Sequence, residues 1–234
     1  MRAPQSPLLK NAREAALIIV SILLAFLIDA SWEGRQERRE ERELLENLQV
    51  EFRQTRELVS DAVRGHEGYG ERALRLAEFG LSSGSEEPED LARLINSVFL
   101  TYLTTYPETG VLDGTLASGR LDLVADDELR SRLAAWPRTF NEFREQEVFI
   151  EEWVREAQPV LYASVPLAAA VVAGARGESM VEAMGPEVRR FLASPQAQNY
   201  AAFRAFYESF AVNDGQDLVG ALDDLLARLE LEMR

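Results

Sequence analysis

The chain has 234 residues, 47% hydrophobic and 28% charged, enough for one mid-sized domain plus an appendage with a sizeable core. Its net charge is -15, and residues 1–43 contribute none of it, because seven basic groups there balance seven acidic ones. The body therefore repels phosphate backbones and anionic lipid surfaces, and the absence of cysteine excludes disulfides, thiolate metal sites and cysteine nucleophiles.

Residues 1–13 read as an N-terminal tail. From Ala15 to Ile28 only Ser21 is polar. A helix from Glu14 to Trp32 would be about 28 Å long at ~1.5 Å per residue, close to the hydrocarbon thickness of a bilayer. Trp32 would then sit at the interface. Leu17, Ile19, Leu24 and Phe26 point in every direction around the axis, whereas a core helix of a soluble domain keeps a polar stripe. A cleaved signal peptide shares the basic start and apolar core, with a cut after Ala30. Ile28 is bulky for that cut, and the helical pattern runs through it. The expectation is a retained transmembrane helix over 14–32, carried by Glu14, Leu17, Ile22, Ala25, Ile28 and Trp32. Basic residues flank both ends, so orientation rests on a lean towards a cytoplasmic N-terminus and an external body.

Residues 33–43 read as a charged helical stalk, too polar to bury. Arg38 with Glu41 and Arg39 with Glu43 have helical pairing spacing, each pair worth ~0.3 kcal/mol. Residues 44–234 form the acidic body. Leu45, Leu48, Phe52, Thr55, Val59 and Ala62 follow 3-4 spacing, which His66, Tyr69, Ala73 and Leu76 continue. This seam predicts one amphipathic helix packed inside its own bundle, rather than a coiled-coil stem between protomers. Gly65, Gly68 and Gly70 predict a break or bend there.

Ser82 to Glu87 reads as a loop, and Pro88 starts a helix to about Tyr102. YPETGVLDGTLASGRLDLV follows as a turn region, with Leu121-Asp122-Leu123 the one trace of strand alternation. Asp126 is expected to cap a long helix with Asp127 and Glu128 in its first turn and a kink at Pro137. Pro159 to Ala175 is uncharged, but it is short and broken by Pro166. It predicts a helix covering the body rather than a second span. An aromatic-rich helix over about 194–212 is expected to stop at Asn213-Asp214-Gly215. The last helix, with Leu218, Leu222, Leu225 and Leu229 on one face, is expected to pack on the helix after the anchor. The fold class is all-α: a transmembrane helix continuing into a long helix, then an antiparallel bundle.

His66 is the only histidine. It lies in a helical pattern with no GxSxG anywhere, which argues against a Ser-His-Asp triad. Phosphate-binding loops are missing. Asp122, Asp126, Asp127, Glu128, Glu147, Glu151, Glu152 and Glu156 are explained by caps and solvated faces, and Asn213 to Asp217 lacks EF-hand spacing. No catalytic residue, cofactor or metal is expected.

Glu14, Ile22-Leu23-Leu24-Ala25, Ile28, Trp32 and Glu33 resemble the anchor of a bacterial domain-of-unknown-function family of membrane-anchored proteins, of the type E-I-x-ILIA-x-QINNWNE. Ala30 and Ser31 replace that family's Asn pair. Leu116, Ser118, Gly119, Leu121, Leu123, Asp126, Leu129 and Arg130 are similar to its central segment. The resemblance covers about 1–60 and 100–155. It implies a single-pass protein of the bacterial inner membrane and brings no known activity.

The leading expectation is a membrane-tethered scaffold or interaction module of the bacterial envelope, its C-terminal domain periplasmic. Its partners would be the bilayer and a protein partner or a second copy, with no nucleic acid. The candidate interaction segment is 105–130, with Tyr106, Pro107, Leu116, Ser118, Gly119, Leu121, Asp126 and Arg130, because loops commonly carry recognition. The alternative is a ligand-sensing bundle with Tyr102, Tyr106 and Trp136 lining a pocket. A carboxylate hydrolase is a distant third.

Overall fold

The computed structural model describes residues 7–79 and 88–233, without the side chains of residues 7–16, 18, 30, 88 and 89. Helix α1 (Pro7–Glu78) is a single rod of 72 residues. Its seam side chains Leu45, Leu48, Phe52, Val59, Ala73 and Leu76 are buried. Helices α4 (Asp127–Ser164) and α7 (Pro195–Glu232) cover that seam, as expected for a helix packed within its own bundle. The α1–α7 contact is the most extensive in the fold. The two run antiparallel, with Arg53 paired to Glu230, Arg56 to Asp223 and His66 to Glu208.

Two apolar clusters stack along these three helices. The proximal one holds Leu44, Leu48, Phe52, Leu129, Trp136, Leu222 and Leu229. The distal one holds Leu76, Leu94, Phe99, Leu161, Phe191 and Ala201. α2 (Pro88–Ile95), a π turn (Asn96–Leu100), α5 (Leu167–Ala175) and α6 (Met180–Leu192) close the distal end. α3 (Gly110–Ser118) and a 3-10 turn (Arg120–Leu123) lean on the proximal half. No strand occurs among the described residues.

Neither helix is broken at its glycines, for one reason. α1 runs through Gly65, Gly68 and Gly70, and α7 runs through Asn213-Asp214-Gly215. A Cβ on Gly65 would lie 2.4 Å from Leu103 Cδ1, and one on Gly215 would lie 2.6 Å from Val63 Cγ2 and 3.1 Å from Phe143 Cε2. These glycines let neighbours approach. They do not end helices.

Other expectations shift in detail. The helix from Pro88 changes to π geometry at Asn96 and ends at Leu100. The expected turn region contains α3, and Leu121-Asp122-Leu123 belongs to the 3-10 turn. Asp126 caps α4, accepting from the Leu129 amide at 2.8 Å, and α4 continues through Pro137. In the stalk, Arg38 donates to the Gly34 carbonyl at 3.1 Å and Arg42 pairs with Glu46, in place of the two expected pairs. The loop expected at Ser82–Glu87 lies outside the described residues.

No single helix among the described residues is long and apolar enough to cross a membrane. The anchor expected at 14–32 includes residues 14–16, 18 and 30, whose side chains lie outside the described set. Its described apolar side chains are uncovered on every side, from 50% exposed at Ile22 to 68% at Trp32. α4 and α5 meet at 90° and pass the same length and composition test only as a bent pair. In α5, Ala170 and Ala173 are buried while Val171 and Val172 are exposed, as a covering helix requires.

Candidate functional site

Between the two apolar clusters lies a buried polar layer. His66 of α1, Glu147 of α4, and Arg204 and Glu208 of α7 occupy the same seams as their apolar neighbours and are at most 1% exposed. His66 Nδ1 faces Glu208 Oε2 at 2.5 Å and Nε2 faces Glu147 Oε1 at 3.4 Å. Arg204 Nε donates to Glu208 Oε1 at 2.6 Å, and its Nη2 donates to the Thr101 carbonyl at 3.1 Å. Arg204 Nη1 is buried without a hydrogen-bond partner.

A ring with an acceptor opposite each nitrogen is satisfied only when both carry protons. Burial by itself lowers the His66 pKa, but the hydrogen bonds to Glu147 and Glu208 outweigh it and hold the imidazole at about 9. Burial likewise pushes Glu147 up, while His66, the Thr105 hydroxyl and amide, and Arg144 together bring it down to about 2. For Arg204, burial lowers the pKa against the pull of Glu208. The layer thus holds three cations (His66, Arg144, Arg204) against two carboxylates. No atom of the His66 ring is exposed.

The layer also anchors the central segment. Glu147 accepts from the Thr105 amide at 2.9 Å and its hydroxyl at 2.5 Å. Glu51 of α1 accepts from the amides of Val111 and Leu112 at 2.6 and 3.0 Å. These are first-turn donors of α3, where a carboxylate is favoured. Glu41 accepts from the Ala125 amide at 2.7 Å. Three carboxylates on the long helices therefore hold the main chain of residues 105–125.

The expected interaction residues divide accordingly. Tyr106 is 73% exposed and lies over the Arg144 guanidinium, 4.7 Å from its centre. Pro107 is beside it, half-buried, and Ser118 is exposed with its hydroxyl on the Gly114 carbonyl. Leu116 and Leu121 turn inward against the proximal core. Gly119 ends α3 at φ +71°, a backbone form that suits glycine. Asp126 caps α4 and binds Arg228 at 2.9 Å, and Arg130 donates to the Val124 carbonyl at 2.8 Å. The last five shape the segment rather than present it. Tyr102, Tyr106 and Trp136 do not share a pocket: Trp136 is buried edge-on to Phe52, Tyr106 faces Arg144 and Tyr102 faces Arg155.

A second surface was legible only in part. Phe149 of α4 and Phe203, Phe206 and Phe210 of α7 are 40–54% exposed, packed around half-buried Trp153, Tyr200 and Tyr207. Over residues 195–212 the only charged side chains are Arg204 and Glu208, both buried. The outer face of this half of α7 is aromatic and neutral on a body that carries the whole charge of the chain. Compared with protein-family models, with curated proteins and with solved structures, the chain matches none.

Proposed function

We propose that this chain is a membrane-tethered helical interaction module, held by residues 14–32 in a bacterial inner membrane with its body in the periplasm. The resemblance to the membrane-anchored bacterial family points the same way. One observation carries the reading: besides uncovered apolar side chains scattered over the body, such as Val50, Leu74 and Leu231, there are two contiguous blocks of them. The first is the described side chains within residues 17–32, uncovered all round. The second is the aromatic face of α4 and α7, depleted of charge and rich in large rings, as the core of a protein interface is. That face lies at the level of His66, some 34 residues past Trp32, which is roughly 50 Å along a straight helix. A protein partner, rather than the bilayer that holds the anchor, fits it.

Two measurements test this. Carbonate washing of membranes should leave the full-length chain in the pellet; release into the supernatant ends the tether. A photo-crosslinking residue at Phe203 or Phe206 should give a discrete adduct in cells that one at Asp224, on the charged exposed side of α7, does not. Identical patterns at all three positions end the interface. A ligand-sensing bundle is the second reading, favoured by a cleft at the distal end.

A further inference from the structure

Where α1, α2, the π turn, α5 and α6 meet there is a cleft of about 470 Å³, within the range of small-molecule sites. Leu100, Leu167, Met180 and Met184 give it apolar walls, the methionines adaptable ones. Among the described residues no Asp or Glu lines it, although the chain has 40 acidic residues against 25 basic ones. Arg72 and Arg93 do line it. Arg93 also pairs with Asp90 at 3.6 Å. Arg72 is half-buried, its Nε on the Ser97 hydroxyl at 2.7 Å and its guanidinium 4.8 Å above the Tyr69 ring. Ser97 and Tyr69 fix the plane of that guanidinium, and both its η nitrogens remain donors. The π turn beside it is a rare backbone form that often marks functional sites.

The geometry points to a single-chain amphiphile with an anionic head as the ligand of this cleft. A carboxylate or a phosphate takes the two η nitrogens of Arg72, a fork that matches either group. The hydrocarbon lies against Leu167, Met180 and Met184. Selection follows from charge: the rest of the body repels an anion, and here the two charged side chains of the described lining are both positive. Two arginines likewise disfavour a cationic head. This assigns a ligand class to the ligand-sensing reading and rests on that reading, not on the tether or the aromatic face.

The test is hydrogen exchange on the full-length protein in phosphatidylcholine nanodiscs, with dodecanoate, dodecyl phosphate or dodecanol as probe. At least one of the two anions should slow exchange over residues 92–100 and 167–184, and dodecanol should not. Protection by dodecanoate alone identifies a fatty-acid head, and protection by dodecyl phosphate alone a phosphate head. Arg72→Gln should weaken binding about tenfold, the loss of one charge-assisted contact. Met180→Glu should do the same through repulsion, in a protein that keeps its fold. Met180 is 43% exposed and starts α6, where an acid is tolerated. Equal protection by dodecanol, no protection by either anion, or wild-type binding in Met180→Glu overturns the assignment. Carbonate extraction and crosslinking at Phe206 would be unaffected by that failure.

Discussion

Replacing His66 with Gln tests the buried layer directly. The variant keeps a polar side chain of similar size but cannot present a charged donor to both Glu147 and Glu208. With His66 at about 9 when folded and about 6.5 when unfolded, the native state binds the extra proton between those values. Stability from this group is therefore complete below pH 6.5 and is lost as pH rises through 9. At 1.36 kcal/mol per unit, a shift from 6.5 to 9 is worth about 3 kcal/mol, a large part of the 5–15 kcal/mol typical of a domain. Leaving two buried carboxylates short of a cation costs a similar about 3–5 kcal/mol. Urea unfolding of the full-length protein in mild detergent, followed by the fluorescence of buried Trp136, measures both. The wild type should lose about 3 kcal/mol between pH 6.5 and 9.5 while His66→Gln stays nearly flat, so that their difference closes at high pH. A wild-type profile that is flat across this window, or one that runs parallel to that of the variant, refutes the charged-imidazole layer.

Two glycines on α7 should respond with opposite signs. Gly215→Ala gains helix propensity but drives a methyl into Val63 and Phe143, so the thermal midpoint should fall, with a net cost of about 1–2 kcal/mol. Gly220→Ala meets nothing within 4 Å and should stabilise by about 0.5–1 kcal/mol; the same sign at both positions would contradict the packing described. Glu51→Ala removes the carboxylate from the first turn of α3. Exchange at Val111 and Leu112 should accelerate by an amount equivalent to about 2–3 kcal/mol, while the α1–α7 core keeps its protection. Replacing His66, Arg204 and Glu208 together with apolar residues, with Glu147 kept on Thr105 and Arg144, should leave the thermal midpoint no lower. It should loosen the register instead: a cysteine at position 56 would bond to one at 216 or 230 as well as to one at 223, in a chain with no cysteine of its own.

The apolar framework was readable from spacing. The seam from Leu45 to Leu76, the Asp126 cap and the leucine face of the last helix follow from 3.6-residue periodicity and a single side-chain oxygen, both local properties. Gly65 and Gly215 were misjudged because a glycine that ends a helix and one that admits a neighbour look alike in one dimension; Leu103 and Val63 decide which it is, and they come from distant elements. The buried layer left a trace in each helix, a charged residue at a seam position: His66 after Ala62, Glu147 between Phe143 and Ile150, Glu208 between Ala205 and Ala211. The two glutamates are unremarkable in a chain with 40 acids, and the one histidine has no neighbour in sequence that marks it. Only the three together show that the interruptions fall at one height. Glu41 read as part of a solvated stalk, and nothing in the sequence marks Glu51, because their partners are main-chain amides, which carry no sequence signature.

That shared height explains why a layer of doubtful net stability is placed in the middle of a long bundle. The distal half of α7 meets its neighbours through Ala197, Ala201, Ala205, Ala211 and Gly215. A row of small side chains presents a smooth surface, and sliding it one heptad along α1 would bury nearly the same apolar area. Sliding the charged layer by the same step would strand His66, Glu147, Arg204 and Glu208 against apolar partners, at several kcal/mol for each unpaired ion. The layer thus penalises every register but one. Two of its members, Glu147 and Arg204, also hold the main chain at Thr105 and Thr101 at the same level, so the alignment of the long helices and the start of the segment that covers them are set together.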